Sequence, residues 1–203
     1  MRELERALAD ITAIRGQMAG GTQFRGYGPV TIAATGVLTI LAAGAHASPS
    51  EPWADLAGYL TLWVVVALVS AIMIGKMVAR TCRHHSGLAD EMLHTAVEQF
   101  MPAAVAEALL TVVLARSAPQ SVWMLPGLWQ IIFGFGVFAS CRTLPRPMFA
   151  AGAWYLAAGL VNLAFANADD ALSPWSMAIP YGIGQLSIAV VLHRSVGAHD
   201  DDD

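Results

Sequence analysis

The stretch Leu56–Gly75, LAGYLTLWVVVALVSAIMIG, runs through 20 residues without a formal charge and is followed by Lys76, Arg80 and Arg83. A helix rises about 1.5 Å per residue, so this stretch spans the roughly 30 Å hydrocarbon core of a bilayer. The pattern repeats on both sides of it. Gly26–Ser50, Ser117–Cys141, Pro147–Ala168 and Ala171–His193 are also free of formal charge, and Gln99–Ala115 is interrupted only by Glu107. Only helices and closed barrels satisfy their backbone polar groups in lipid, and uninterrupted apolar runs of this length are the helical signal. The chain is therefore expected to be an all-α polytopic membrane protein. Its six transmembrane helices fall at about 29–47, 56–78, 96–115, 120–141, 147–167 and 173–193.

Six crossings divide the eleven Lys and Arg residues very unevenly. Arg2, Arg6, Arg15, Arg25, Lys76, Arg80, Arg83, Arg142, Arg146 and Arg194 fall on one face, and Arg116 alone falls on the other. Short-loop bias of this kind sets orientation, which predicts that both termini are cytoplasmic.

With 203 residues, 56% of them hydrophobic, and a mean hydropathy of +0.56, the chain has little left for a soluble domain once six spans are subtracted. The net charge of −4 owes its sign to the run Asp200–Asp203, part of an acidic stretch, 195–203, that reads as a solvated, disordered tail. The basic belt suits anionic lipid headgroups, and no continuous basic surface suggests nucleic acid. Glu3, Glu5 and Asp10 argue against a cleavable signal peptide. Cys82 and Cys141 fall at cytoplasmic helix ends, where free thiols are expected rather than a disulfide.

Residues 1–20 carry Leu4, Leu8, Ile11, Ile14 and Met18 at helical spacing, with Arg2, Glu5, Arg6 and Arg15 opposite. The pattern predicts an amphipathic helix, lying in the headgroup region or docking on a partner. The body at 24–194 reads as one transmembrane domain. Its outer loops are too short for a folded domain. Trp53, Trp123 and Trp175 near their ends fit an aromatic belt.

Glu107 is the residue that topology does not explain. It falls near the bilayer centre, where a carboxylate costs at least about 2.5–3.5 kcal/mol on insertion scales. Ala103, Ala104 and Thr111 share its helical face and permit close approach of a neighbour. Three roles remain open: a proton carrier, a hydrogen-bonding group for a ligand, or a structural acid bonded to another helix. By depth, Gln130 and Gln185 are expected to join Glu107 in a polar midplane layer, with Thr111 beside it and Asn162 further out. Such a layer binds a small polar or amphipathic molecule, or it acts as interhelical glue.

Three prolines sit near these residues. Pro102 leaves the Glu98 carbonyl without its helical partner, which predicts a kink beside Glu107. Pro126 and Pro180 occupy matching positions in the fourth and sixth spans, each followed by Gly residues and a Gln. Interrupted spans at corresponding positions point to binding sites in transporters, so the three are candidate gating or kink positions. Small-residue pairs at Gly136/Ser140, Ala153/Ala157 and Ala178/Gly182 equally serve helix packing.

Glu91, His94 and Glu98 share one helical face in the pattern that carboxylate metal sites use. Such sites need a second helix of the same kind, and none occurs, so a solvated interfacial cluster is the simpler reading. No His falls mid-membrane, which disfavours a buried bis-His haem. The residues specify no cofactor. Gly-x-Ser-x-Gly, P-loop, His-Glu-x-x-His and Cys-x-x-Cys patterns are absent, so an enzyme is not favoured.

Leu125-Pro126-Gly127-Leu128-Trp129-Gln130 with Gly134-Phe135-Gly136, and Ser173-Pro174-Trp175 to Gly184-Gln185-Leu186, resemble segments of a group of small six-helix bacterial inner-membrane proteins. The likeness covers most of Phe24–Arg194. The group has no assigned activity and provides no catalytic residues; it implies a bacterial cytoplasmic-membrane location.

Two functions are therefore expected. The first is binding or moving a small or lipophilic molecule through a midplane pocket around Glu107. The alternative is a non-catalytic membrane partner or sensor subunit, acting through the N-terminal helix and the basic face as a homo-oligomer or beside another membrane protein.

Overall fold

The computed structural model describes residues 28–47, 56–84, 88–141, 147–165 and 172–197, with side chains for 28–47, 56–80, 94–141, 147–165 and 172–194. The expected amphipathic helix at 1–20, Trp53, the side chains of Cys82 and Glu91, and the acidic run 200–203 lie outside these residues.

Among the described residues, six α-helices follow one another: α1 (Gly28–His46), α2 (Leu56–His84), α3 (Leu88–Ser117), α4 (Leu125–Ser140), α5 (Met148–Phe165) and α6 (Pro174–Gly197). All six are long and apolar enough to cross a membrane, α4 when counted together with the 3-10 helix before it. The fold is an all-α bundle with apolar residues pointing outward. Val30, Leu68, Leu109, Phe149 and Phe165 are each more than half exposed. In water this would be an aggregation surface, and in a bilayer it is the lipid-facing one.

Two boundaries differ from expectation for physical reasons. The fourth span begins as a 3-10 helix at Pro119–Met124, and α4 proper starts at Leu125. Pro126 therefore sits in the first turn of α4, where a missing N–H costs no helical bond, so it starts the helix and does not kink it. Helix α3 runs unbroken from Leu88 to Ser117 through Pro102, which is exposed.

Packing sorts the helices into two tight pairs and two flanking members. The α1–α6 and α4–α5 contacts are the most extensive, and α5 meets α6 to join the pairs. Helix α3 lies on α4 and α2 lies on α1, whereas α2 and α3, consecutive in sequence, scarcely meet. In the α4–α5 pair, Gly127 faces Gly159 and Gly134 faces Gly152. A methyl added at Gly159 would stand 2.6 Å from the Gly127 carbonyl oxygen, and one at Gly127 would stand 2.8 Å from that of Gly159. Each helix spaces its two glycines seven residues apart, about two turns, so the backbones touch along a line. Gly36 meets Gln185 and Gly182 across the α1–α6 pair. Gly136 and Ser140 pack on α3, as the small-residue reading allows: Gly136 faces Phe100 and Ala103, and the Ser140 hydroxyl donates to the Ala96 carbonyl at 2.9 Å. Ala178 and Gly182 are likewise buried, but Ala153 and Ala157 are exposed; the packing face of α5 is that of Gly152 and Gly159.

The buried stripe of α2 reads Tyr59, Trp63, Val66 and Met77, the spacing of a helix buried on one side only. It closes a core around Ala43, Leu125, Trp129 and Met177 near the Arg116 end of the bundle. A second core around Met148, Tyr155, Ile188 and Leu192 lies toward the end carrying Lys76 and Arg194.

Candidate functional site: a buried carboxyl in an aromatic layer

Contacts between α3 and α4 set the depth of Glu107. The Trp129 indole N–H donates to the Thr111 hydroxyl at 2.8 Å, and Gly136 packs against Ala103. These two contacts bracket Glu107 at the depth of Phe133. Glu107 is also ten residues from Ser117, the Arg116-end terminus of α3, hence about 15 Å along the axis and near mid-bilayer.

At this depth the neighbours are aromatic. Phe133 contacts Phe100, Tyr155 and Tyr181 with centroids 5.0, 4.7 and 5.2 Å away, and Tyr155 meets Tyr181 at 5.2 Å. Tilted and edge-on geometries dominate, as ring quadrupoles favour. Gly184 makes room for this layer, because a Cβ there would collide with the Tyr155 ring. Tyr181 lies within electrostatic reach of Glu107, Tyr155 and Tyr59, so one carboxyl and three phenols converge from four helices. The Glu107 Oε1 is buried and has no hydrogen-bond partner.

The expected layer of Glu107, Gln130 and Gln185 is not formed. Gln130 donates its amide N–H to the Ser176 carbonyl at 2.8 Å, and Asn162 donates both to the Gln130 Oε1 and to the same carbonyl at 2.9 Å. Ser176 and Gln185 are nine residues apart on α6, about 13 Å, so the two glutamines cannot share a layer. Gln130 sits about one turn toward the Arg116 end from Phe133, and Gln185 about one turn toward the opposite end from Tyr181. The phenyl and phenol rings occupy the space between.

The Gln130 cluster has a backbone cause. Pro180 has no N–H, so the Ser176 carbonyl four residues earlier loses its helical donor, and Gln130 and Asn162 supply the replacement. Pro180 is thus the proline whose missing N–H is answered by side chains of neighbouring helices. The Pro180 carbonyl accepts the Trp154 indole N–H at 3.0 Å. Thr111 is also engaged: its hydroxyl donates to the Glu107 carbonyl at 2.7 Å while accepting from Trp129, so it ties α3 to α4. Thr35 and Thr39 donate to carbonyls of their own helix at 2.7 Å.

Sequence reasoning missed Tyr155, Tyr181 and Phe133. Tyr59 was missed as well; its buried hydroxyl lies toward Ser176 and Trp63 without a well-formed hydrogen bond. For Tyr155 and Tyr181 the available signal was their placement inside a span, away from the interfaces where tyrosines usually gather. Of the metal candidates, His94 and Glu98 form an exposed pair at 3.2 Å, and no group of three or more possible ligands occurs among the described residues. Gln99, two turns from Glu107 on the same face of α3, also has a buried Oε1 without a hydrogen bond.

No protein-family pattern, curated protein or solved structure matches this chain.

Proposed function

We propose that this chain is a multi-pass protein of a bacterial cytoplasmic membrane, with both termini cytoplasmic, that binds or moves a small or lipophilic molecule at Glu107. The supporting observation is the buried, unpartnered Oε1 of a mid-span carboxyl. An acid retained only to hold helices together would be expected to find a donor, because an unmade bond in hydrocarbon costs more than an apolar side chain does. Glu107 instead lies between Ala103 and Thr111 on the face of α3 that meets α4, within electrostatic reach of Tyr181, and few contacts close the neighbouring seam between α2 and α3. That seam gives a bilayer-dissolved molecule a sideways approach. Orientation is supported by the ten-to-one division of basic residues.

The test is reaction with a lipophilic carbodiimide in native membranes, read by peptide mass spectrometry, beside a thermal-shift panel of cationic, neutral and anionic lipophiles. Labelling at Glu107, with stabilisation by at least one compound that is lost in Glu107→Gln, is the expected result. An unlabelled Glu107 with no Glu107-dependent ligand of any charge defeats the reading and leaves the membrane-partner function. Under that alternative, deleting residues 1–18 abolishes co-purification of a partner protein.

A further inference from the structure

We infer that the ligand accepted at Glu107 is a lipophilic organic cation, held between the carboxylate and the faces of the surrounding rings. This rests on the binding reading above and names the chemistry of its ligand.

Four observations lead to it. Glu107 is the one formally charged residue near the middle of a span; Lys76, Arg80, Glu98, Arg116 and Arg194 all lie toward span ends, so no cationic side chain of the spans sits at its depth. One carboxyl oxygen is buried and unpartnered, which leaves an acceptor free. Phe133 lies at the same depth and packs with Tyr155 and Tyr181, and Phe100 extends this ring cluster toward the Lys76 end; π faces carry partial negative charge. Tyr181 is within electrostatic reach of the carboxyl itself, which joins the acid to the rings.

These features select among ligands. An anion would meet an uncompensated carboxyl and the negative faces of rings, so both elements repel it. A neutral lipophile gains from the apolar walls but leaves the free oxygen unused. Hard divalent cations need about six oxygen ligands, and no cluster of three or more possible metal ligands occurs among the described residues. An organic cation with delocalised or alkyl-shielded charge sheds water readily and neutralises Glu107. It also gains cation–π attraction against each well-placed ring face. Its entry route is the seam between α2 and α3. The titratable group within electrostatic reach of Glu107 is the Tyr181 phenol on α6, which Tyr155 on α5 and Tyr59 on α2 approach in turn; α4 contributes none. Phenols ionise near pH 10, so any pH dependence of binding between about pH 5 and 9 belongs to Glu107.

The experiment is equilibrium binding of tetraphenylphosphonium to the full chain in detergent, against neutral triphenylphosphine oxide and the anion tetraphenylborate. The expected result is binding of the cation at least about tenfold tighter to wild type than to Glu107→Gln, about 1.4 kcal/mol. Wild-type affinity should weaken as the pH is lowered and Glu107 takes up a proton, and the Gln variant should show no pH dependence. The two control compounds should not distinguish the variants. Phe133→Leu keeps the carboxyl and removes a ring face; it should weaken cation binding severalfold while Glu107 still reacts with carbodiimide. This second variant carries the test if Glu107→Gln does not fold. Equal cation affinity in wild type and Glu107→Gln overturns the proposal, as does an unchanged affinity in Phe133→Leu. Glu107-dependent binding of the oxide or the borate in place of the cation overturns the cation class and leaves the binding reading standing.

Discussion

A carboxyl with one buried, unpartnered oxygen holds the bundle below the stability that an apolar side chain of similar size would give it. Glu107→Leu is therefore expected to raise the midpoint of thermal unfolding in detergent, by an amount worth about 1–3 kcal/mol, while abolishing carbodiimide labelling. If Glu107 were structural glue, the same change would lower the midpoint, so the sign of the shift separates the two roles. Glu107 was legible in the sequence because one acid among charge-free spans has no explanation in topology. The tyrosines around it were not legible, because a Tyr on an apolar helical face looks the same whether it fills a core or lines a site. Gln130 and Gln185 misled for a related reason. Counting residues from a helix end gives depth along one axis, and it does not tell which carbonyl a neighbouring proline has left free.

Pro180 and Gln130 form a unit that neither helix displays alone. Gln130→Leu should destabilise the fold by about 1–2 kcal/mol, since Asn162 is then the remaining side-chain donor to the Ser176 carbonyl. Pro180→Ala restores a backbone N–H to that carbonyl. In that background Gln130→Leu should cost measurably less, and a double-mutant cycle on unfolding midpoints reads the coupling. The glycine lines make a harder contact. Gly159→Ala forces a methyl against the Gly127 carbonyl at 2.6 Å and should destabilise the α4–α5 pair by about 1–3 kcal/mol. Gly75→Ala, with open space around the added methyl, should not destabilise the fold. The two seven-residue spacings were visible in the chain. That they face each other was not, because pairing between helices is absent from any single helical pattern.

Across the whole molecule, the six-helix architecture was readable because a bilayer leaves the backbone so few options. The order in which the helices pack was not, since lipid-facing and core-facing apolar residues look alike to a hydropathy count. Orientation has a direct check in a chain with Cys82→Ser and Cys141→Ser. A membrane-impermeant maleimide applied to intact cells should label Gln120→Cys, near Arg116, and should leave Arg194→Cys unlabelled until the cells are opened. The reverse pattern would invert the topology.

Pairing α1 with α6 has a consequence for how the protein is made. Gly36 and Gly182 are 146 positions apart, so α1 enters the membrane long before its principal neighbour has been translated. Until α6 arrives, the small-residue face of α1 is exposed to lipid or borrowed by an insertion factor. Ribosome-bound chains ending before Pro174 should therefore present α1 to crosslinking with the translocation machinery, and chains extended past Arg194 should release it.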